Sequence, residues 1–250
     1  LATFKVNGDN EVYEAAHDAL PISANVHQSF YQLRHGVLVV GLPNHAFTVS
    51  KMEFQRNQVG IFVLGASYET ITFNNFEVPE LDNNFPGSNY GAYLMNSYLF
   101  TVEENNFCGG PEITSIAGLA VDNSCPDDAE ASKAITLENE VYRNQFTDLE
   151  IGILVENDNR DQNSEVGLQA RCNQFSNNYI SDIYLAPLSE WRTNQGALFP
   201  DEMLTNNMFS MGVYNCGDPY HDLRISDLYG DLQTPNNLTV DYHCFDYPSS

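Results

Sequence analysis

The sequence predicts an all-β solenoid, short strands wound coil upon coil with loop insertions between them. Three observations predict it. An imperfect repeat recurs from one end to the other at intervals of roughly 20 to 40 residues, the spacing of stacked repeat architectures. Each repeat carries short β-rich runs bounded by Asn, Gly, Asp and Ser, too brief for helices. Each repeat also carries one Phe beside an Asn, so identical side chains fall in line when coils stack.

The repeats follow in order. Asn25 to Phe30 precedes His35-Gly36-Val37-Leu38-Val39-Val40, and Phe54-Gln55-Arg56-Asn57 precedes Gly60-Ile61-Phe62-Val63-Leu64. Asn75-Phe76 leads to Gly91-Ala92-Tyr93-Leu94, and Asn106-Phe107 to Gly118-Leu119-Ala120-Val121. Asn144-Gln145-Phe146 leads to Gly152-Ile153-Leu154-Val155, and Asn173-Gln174-Phe175 to Asp182-Ile183-Tyr184-Leu185. Asn207-Met208-Phe209 leads to Gly212-Val213-Tyr214. Thr70 to Phe73, Leu99 to Val102 and Ala134 to Leu137 alternate apolar with polar, as strands with one buried face do. Glu11 to Leu20 is the best helix candidate and a weak one. Insertions at 78–89, 123–132, 156–165 and 187–201 map to loops, and 231–250 loses the repeat, which divides the chain into a solenoid over 1–230 and an irregular cap or linker over 231–250.

Stacked coils put Phe30, Phe54, Phe76, Phe107, Phe146, Phe175 and Phe209 into one internal aromatic ladder. Beside it, Asn57, Asn75, Asn106, Asn144, Asn173 and Asn207 are expected at a turn, bonding the backbone of neighbouring coils. This Asn-x-Phe…Gly-Ile-x-Val spacing resembles the right-handed, single-stranded parallel β-helix of the pectate-lyase-like superfamily, over roughly residues 20–230 and about seven coils. It looks most like β-helix segments of large secreted and surface proteins of marine Bacteroidetes-type bacteria. The resemblance implies a fold, and function has to be argued from a site.

Composition narrows the partners. The 250 residues carry 10 basic and 34 acidic side chains, a net charge of -24. Nucleic acid needs a Lys/Arg footprint that such a chain lacks, and an anionic membrane surface is disfavoured for the same reason. No apolar run is long enough for a transmembrane helix, so membrane insertion is not expected. Leu1-Ala2-Thr3-Phe4 has neither an initiator Met nor a charged n-region, as expected of a processed mature product or of an excised or natural segment of a longer polypeptide. Five cysteines, at 108, 125, 172, 216 and 244, form no CxxC pair. Cys108 with Cys125, or Cys216 with Cys244, would bridge loops in an oxidising compartment, and Cys172 reads as a buried free thiol.

Enzymes of the fold that the chain resembles use carboxylates with a basic residue, or clusters of Asp. Asp148 and Glu150 beside Arg143 are the candidate catalytic set, with Asp182 and Glu202 as further carboxylates; neither enzyme signature is complete. The loop Glu156 to Asn163 is dense in oxygen donors, and Asp158 and Asp161 are the candidate calcium ligands, although EF-hand spacing is missing. The six histidines show no metal spacing. Apart from calcium, no cofactor is expected. Trp191, in the inserted loop 187–201, and Tyr184 are the candidate binding residues, since exposed aromatics stack on sugars or dock proteins.

The reading that fits best is a non-catalytic structural or adhesive β-helix module of an extracellular, secreted or cell-surface bacterial protein. Its partners would be other segments or protomers of that protein, or a cell-surface glycan or protein. A polysaccharide lyase or glycoside hydrolase of the same fold is the rival. A binding head built on Trp191 and the tyrosines is the third reading.

Overall fold

The computed structural model of the chain describes residues 4–7, 29–41, 46–79, 89–110, 117–124, 139–160, 167–192, 194–195, 207–210, 223–225 and 241–242. Three parallel sheets run along it. Sheet A joins β1 (Phe4–Asn7), β4 (Phe47–Ser50), β7 (Glu69–Thr72), β10 (Thr101–Glu103), β13 (Asn139–Tyr142) and β16 (Leu168–Arg171), in that order. Sheet B joins β2 (Ser29–Tyr31), β5 (Glu53–Gln55), β8 (Asn75–Glu77), β11 (Asn106–Cys108), β14 (Gln145–Thr147) and β17 (Gln174–Ser176). Sheet C joins β3 (His35–Val40), β6 (Val59–Leu64), β9 (Tyr90–Met95), β12 (Ala117–Asp122), β15 (Ile151–Glu156), β18 (Ser181–Leu185) and β20 (Leu223–Ile225). β19 (Asn194–Gln195) pairs separately with β21 (Asp241–Tyr242). Consecutive strands fall in different sheets, and the neighbours within a sheet come from successive coils. That topology is a parallel β-helix. The helix expected at Glu11 to Leu20, the strand at Ala134 to Leu137, the boundary at 230/231 and most of the insertions lie outside the described residues.

Side chains of one strand point alternately in and out, so each coil sends a fixed set inward. Sheet A contributes Val49, Ile71, Val102, Val141 and Ala170, all buried. Sheet C contributes two rows, Val37–Ile61–Ala92–Leu119–Ile153–Ile183 and Val39–Val63–Leu94–Val121–Val155–Leu185. Sheet B contributes Phe, and its rings stack from Phe30 through Phe54, Phe76, Phe107, Phe146 and Phe175 to Phe209. Adjacent centroids lie 4.5–5.6 Å apart with interplanar angles of 2–16°. The spacing follows that of the strands, which is about 4.8 Å.

The Gly of the first five repeats makes room for this ladder. A Cβ on Gly91 would sit 2.5 Å from the Gly118 carbonyl oxygen and 2.5 Å from the Phe107 ring. Backbone on one side and a packed ring on the other leave no space for a methyl group.

The corners use left-handed backbone. From sheet C towards sheet A the row reads Gly41, Gly65, Asn96, Asn123, Asn157, with φ from 46° to 65°. Gly and Asn are the residues that tolerate that conformation best. From sheet A to sheet B the row reads Lys51, Phe73, Glu104, Arg143, Cys172, with φ from 54° to 57°. These side chains gain nothing from that backbone, so the following residue has to hold the corner.

That residue is Asn. Asn74, Asn105, Asn144 and Asn173 are buried and form one ladder. The Asn144 Oδ1 accepts from the Asn105 backbone N–H and from its Nδ2, both at 3.0 Å. The Asn144 Nδ2 donates to the Val102 carbonyl at 2.8 Å and to the Asn173 Oδ1 at 3.1 Å. Asn207 closes the row through the Asn173 backbone N–H and Nδ2, and Met52 opens it by donating its backbone N–H to the Asn74 Oδ1.

Three positions of the expected ladder differ. Asn75 and Asn106 are exposed, one residue beyond the buried Asn74 and Asn105. In the doublets Asn74-Asn75 and Asn105-Asn106 the first Asn takes the corner and the second starts a strand facing out. Asn57 is buried at a different corner, between sheets B and C, where its side chain receives the Leu33 backbone N–H and donates to the Phe30 carbonyl.

Candidate functional site

The corner from sheet A to sheet B opens outward into a polar groove. It has a volume of about 680 Å³ and is lined by Asn75, Glu104, Asn105, Asn106, Arg143, Gln145, Cys172 and Gln174. Parallel register builds it, since Asn75, Asn106, Gln145 and Gln174 are direct strand partners and form an outer row of amides. All four are exposed. Among the described residues their side-chain amides have no hydrogen-bond partner. Two amide rows thus run side by side along the solenoid, the inner one saturated and the outer one open to solvent.

The next row of the groove is the left-handed corner itself. Arg143 Nη1 lies 3.6 Å from Glu104 Oε1, an exposed pair worth little in stability. The Arg143 guanidinium also sits 4.7 Å from the Tyr142 ring centroid, and that of Arg171 lies 5.6 Å from the same ring. Arg171 pairs with Glu140. Burial, then the charges of Glu104 and Glu140, raise the Glu103 carboxyl above its ordinary range, against the pull of Arg143. Phe73 precedes Glu104 in the corner row and is 54% exposed.

The catalytic candidates separate. Arg143 stands at the corner between β13 and β14, whereas Asp148 and Glu150 lie beyond β14, on the way to sheet C. Asp148 has left-handed backbone and donates its N–H to the Ser176 carbonyl. The Glu150 carbonyl receives the Ile180 and Ser181 N–H groups, and burial raises its carboxyl. Arg143 is directed to Glu104. Asp182 is buried and accepts bonds from Asn178 and from the Ser210 N–H and hydroxyl, so it holds a corner. Glu202 and Asp161 lie outside the described residues.

Asp158 caps its own turn, accepting the Arg160 N–H at 3.2 Å, while Arg160 Nε donates to Glu190 at 2.6 Å. Trp191 is not a surface contact residue. It is fully buried and packs in the main core, because the chain folds back into the solenoid after β18. Tyr184 faces outward on sheet C and packs with Tyr90 and Tyr93 over Ala117, Ala120, Ile151 and Leu154. Beside that cluster the Tyr93 hydroxyl donates to Asp122 Oδ2 at 3.0 Å, and Asn157 Nδ2 donates to Oδ1 at 2.6 Å. Burial and the Asp122 charge raise the neighbouring Glu156. Cys108 is a free thiol, which removes its bridge to Cys125. Cys172 is free too, but half-buried at the groove rather than inside the stack.

Sequence reading passed over the outer amide row. Its one legible signal is the residue just before each ladder Phe, which reads Asn, Asn, Gln, Gln through Phe76, Phe107, Phe146 and Phe175.

Fold and groove define a parallel β-helix solenoid with a polar axial groove. The profile of the NosD family, described as periplasmic copper-binding protein, matches residues 5–199. The chain belongs to that family. No curated protein and no solved structure matches it. Among the described residues no three His, Cys, Asp or Glu side chains come together to hold a metal ion. Among the described residues no helix is long and apolar enough to cross a membrane.

Proposed function

We propose that the chain is a non-catalytic structural and adhesive module of a larger protein of the bacterial cell envelope or surface, in which the solenoid is a rigid rod and the axial groove its contact face. One observation carries this reading. The buried corner amides are consumed in holding the stack, while the outer amide row turns its donors and acceptors to solvent. A rod of this kind presents a surface at fixed spacing along its length. The family's periplasmic description supports a place outside the cytoplasm. The dispersal of Asp148, Glu150 and Arg143 over different corners supports a non-catalytic role.

The test is the mass and shape of the native gene product, isolated from its source and imaged by electron microscopy. A polypeptide much larger than this chain, or an ordered filament or ring, is the expected result. A compact monomer that depolymerises a polysaccharide would overturn the proposal.

A further inference from the structure

The groove's geometry also specifies a class of ligand. We propose that the outer amide row Asn75–Asn106–Gln145–Gln174, flanked by Phe73, binds a neutral linear polysaccharide lying parallel to the solenoid axis. This deepens the adhesive reading above and rests on it.

Three features select that occupant. The first is chemistry. A carboxamide offers both a donor and an acceptor, which suits a hydroxyl that also does both. Phe73 supplies an apolar plate at one end of the row, in a left-handed backbone that a bulky side chain enters only under constraint. Polar edges with an aromatic face are what a pyranose ring needs, hydroxyls around its rim and C–H groups on its faces.

The second is spacing. The amides recur once per coil, every 4.7–4.9 Å or so, and the four span about 14 Å. An extended pyranose chain advances one ring in a step of similar length, so successive rings meet equivalent amides. An extended peptide advances only about 3.3 Å per residue and falls out of step within two coils.

The third is charge. Glu104 and Arg143 cancel, so the lining is neutral on a chain of net charge -24. An anionic glycan is repelled by the molecule as a whole, and the groove has no uncompensated acid to reward a cationic one.

The experiment is calorimetric titration of the purified chain with cellohexaose, mannohexaose and xylohexaose, with hexagalacturonate as the anionic comparison. At least one neutral hexasaccharide is expected to bind, more tightly than its own disaccharide and with little change on adding about 0.5 M NaCl. The double variant Asn106→Ala/Gln145→Ala is expected to weaken that binding by about tenfold or more, and Phe73→Ser to weaken it as well. Both should leave the melting temperature unchanged, because the side chains are exposed. Binding of none of the neutral sugars, an unaltered affinity in the double variant, or equal affinity for hexagalacturonate would each overturn the proposal. Chromatography of the recovered sugar separates this result from the parent reading. Cleaved sugar would defeat the non-catalytic module while leaving the groove as the binding site. Failed binding leaves the module to be judged by its native assembly.

Discussion

Adjacent asparagines in this chain do opposite work, and a pair of substitutions exposes it. Asn105 accepts and donates inside the corner ladder, so Asn105→Ala strands the Asn74 backbone N–H and the Ile71 carbonyl. Each buried group left unpaired costs about 1–3 kcal/mol. Asn106→Ala removes an exposed amide without an internal partner, and its effect should stay within about 0.5 kcal/mol. Denaturant titration of the two variants measures the contrast directly. Gly91 is held as tightly, since Gly91→Ala drives a methyl against the Gly118 carbonyl and the Phe107 ring. Overpacking of that kind costs about 1–3 kcal/mol, with thermal unfolding as the readout. Trp191→Ala empties a fully buried site and should cost about 3–5 kcal/mol, where a surface contact residue would cost almost nothing.

At the scale of the element, the strands that carry a strict repeat were legible in the sequence, and the corners were not. Phe on every sheet B strand and Gly at the second position of the first five sheet C strands recur at fixed offsets, so stacking follows from counting. Which Asn of a doublet turns inward depends on where the left-handed residue falls, and Phe73, Glu104, Arg143 and Cys172 share no residue type that marks the place. Trp191 was misread because an inserted loop suggests a surface. The outer amide row was missed because an exposed Asn or Gln carries no signal alone; it becomes a feature only through register.

Sheet A holds a further element-scale device. Glu69 opens β7 facing inward, beside Phe47 in register and just before the strand partner of Phe100's neighbour Thr101. It is 1% exposed, and among the described residues neither carboxyl oxygen has a hydrogen-bond partner. Burial pushes its carboxyl up to about 8 from an ordinary 4.5. The folded state therefore keeps the proton that the unfolded state releases. The neutral form's stabilising contribution is whole below about pH 4.5 and is lost as pH rises to about 8, with a slope of about 1.4 kcal/mol per pH unit inside that window. Glu69→Gln should flatten this component. The check is the difference in unfolding free energy between variant and wild type at pH 5, 6, 7 and 8. A constant difference would show that Glu69 ionises normally.

For the whole molecule, stacking multiplies whatever charge a coil carries. Parallel register brings like residues together, so Asp122 and Glu156 become strand partners on the outer face of sheet C, and Glu103 and Glu104 stand side by side at a corner. With a net charge of -24, folding concentrates repulsion that the extended chain spreads out. Salt relieves it. Between about 10 mM and 150 mM the screening length falls from about 30 Å to 8 Å, well below the length of the charged rows' mutual reach. The melting temperature should therefore climb by several degrees over that interval in NaCl and level off beyond it. Glu156→Gln removes one of the partnered carboxylates and should raise the melting temperature at the low-salt end, with the gain shrinking as salt is added. A gain that instead persists undiminished at high salt would assign the Glu156 effect to desolvation of its half-buried carboxyl rather than to repulsion by Asp122.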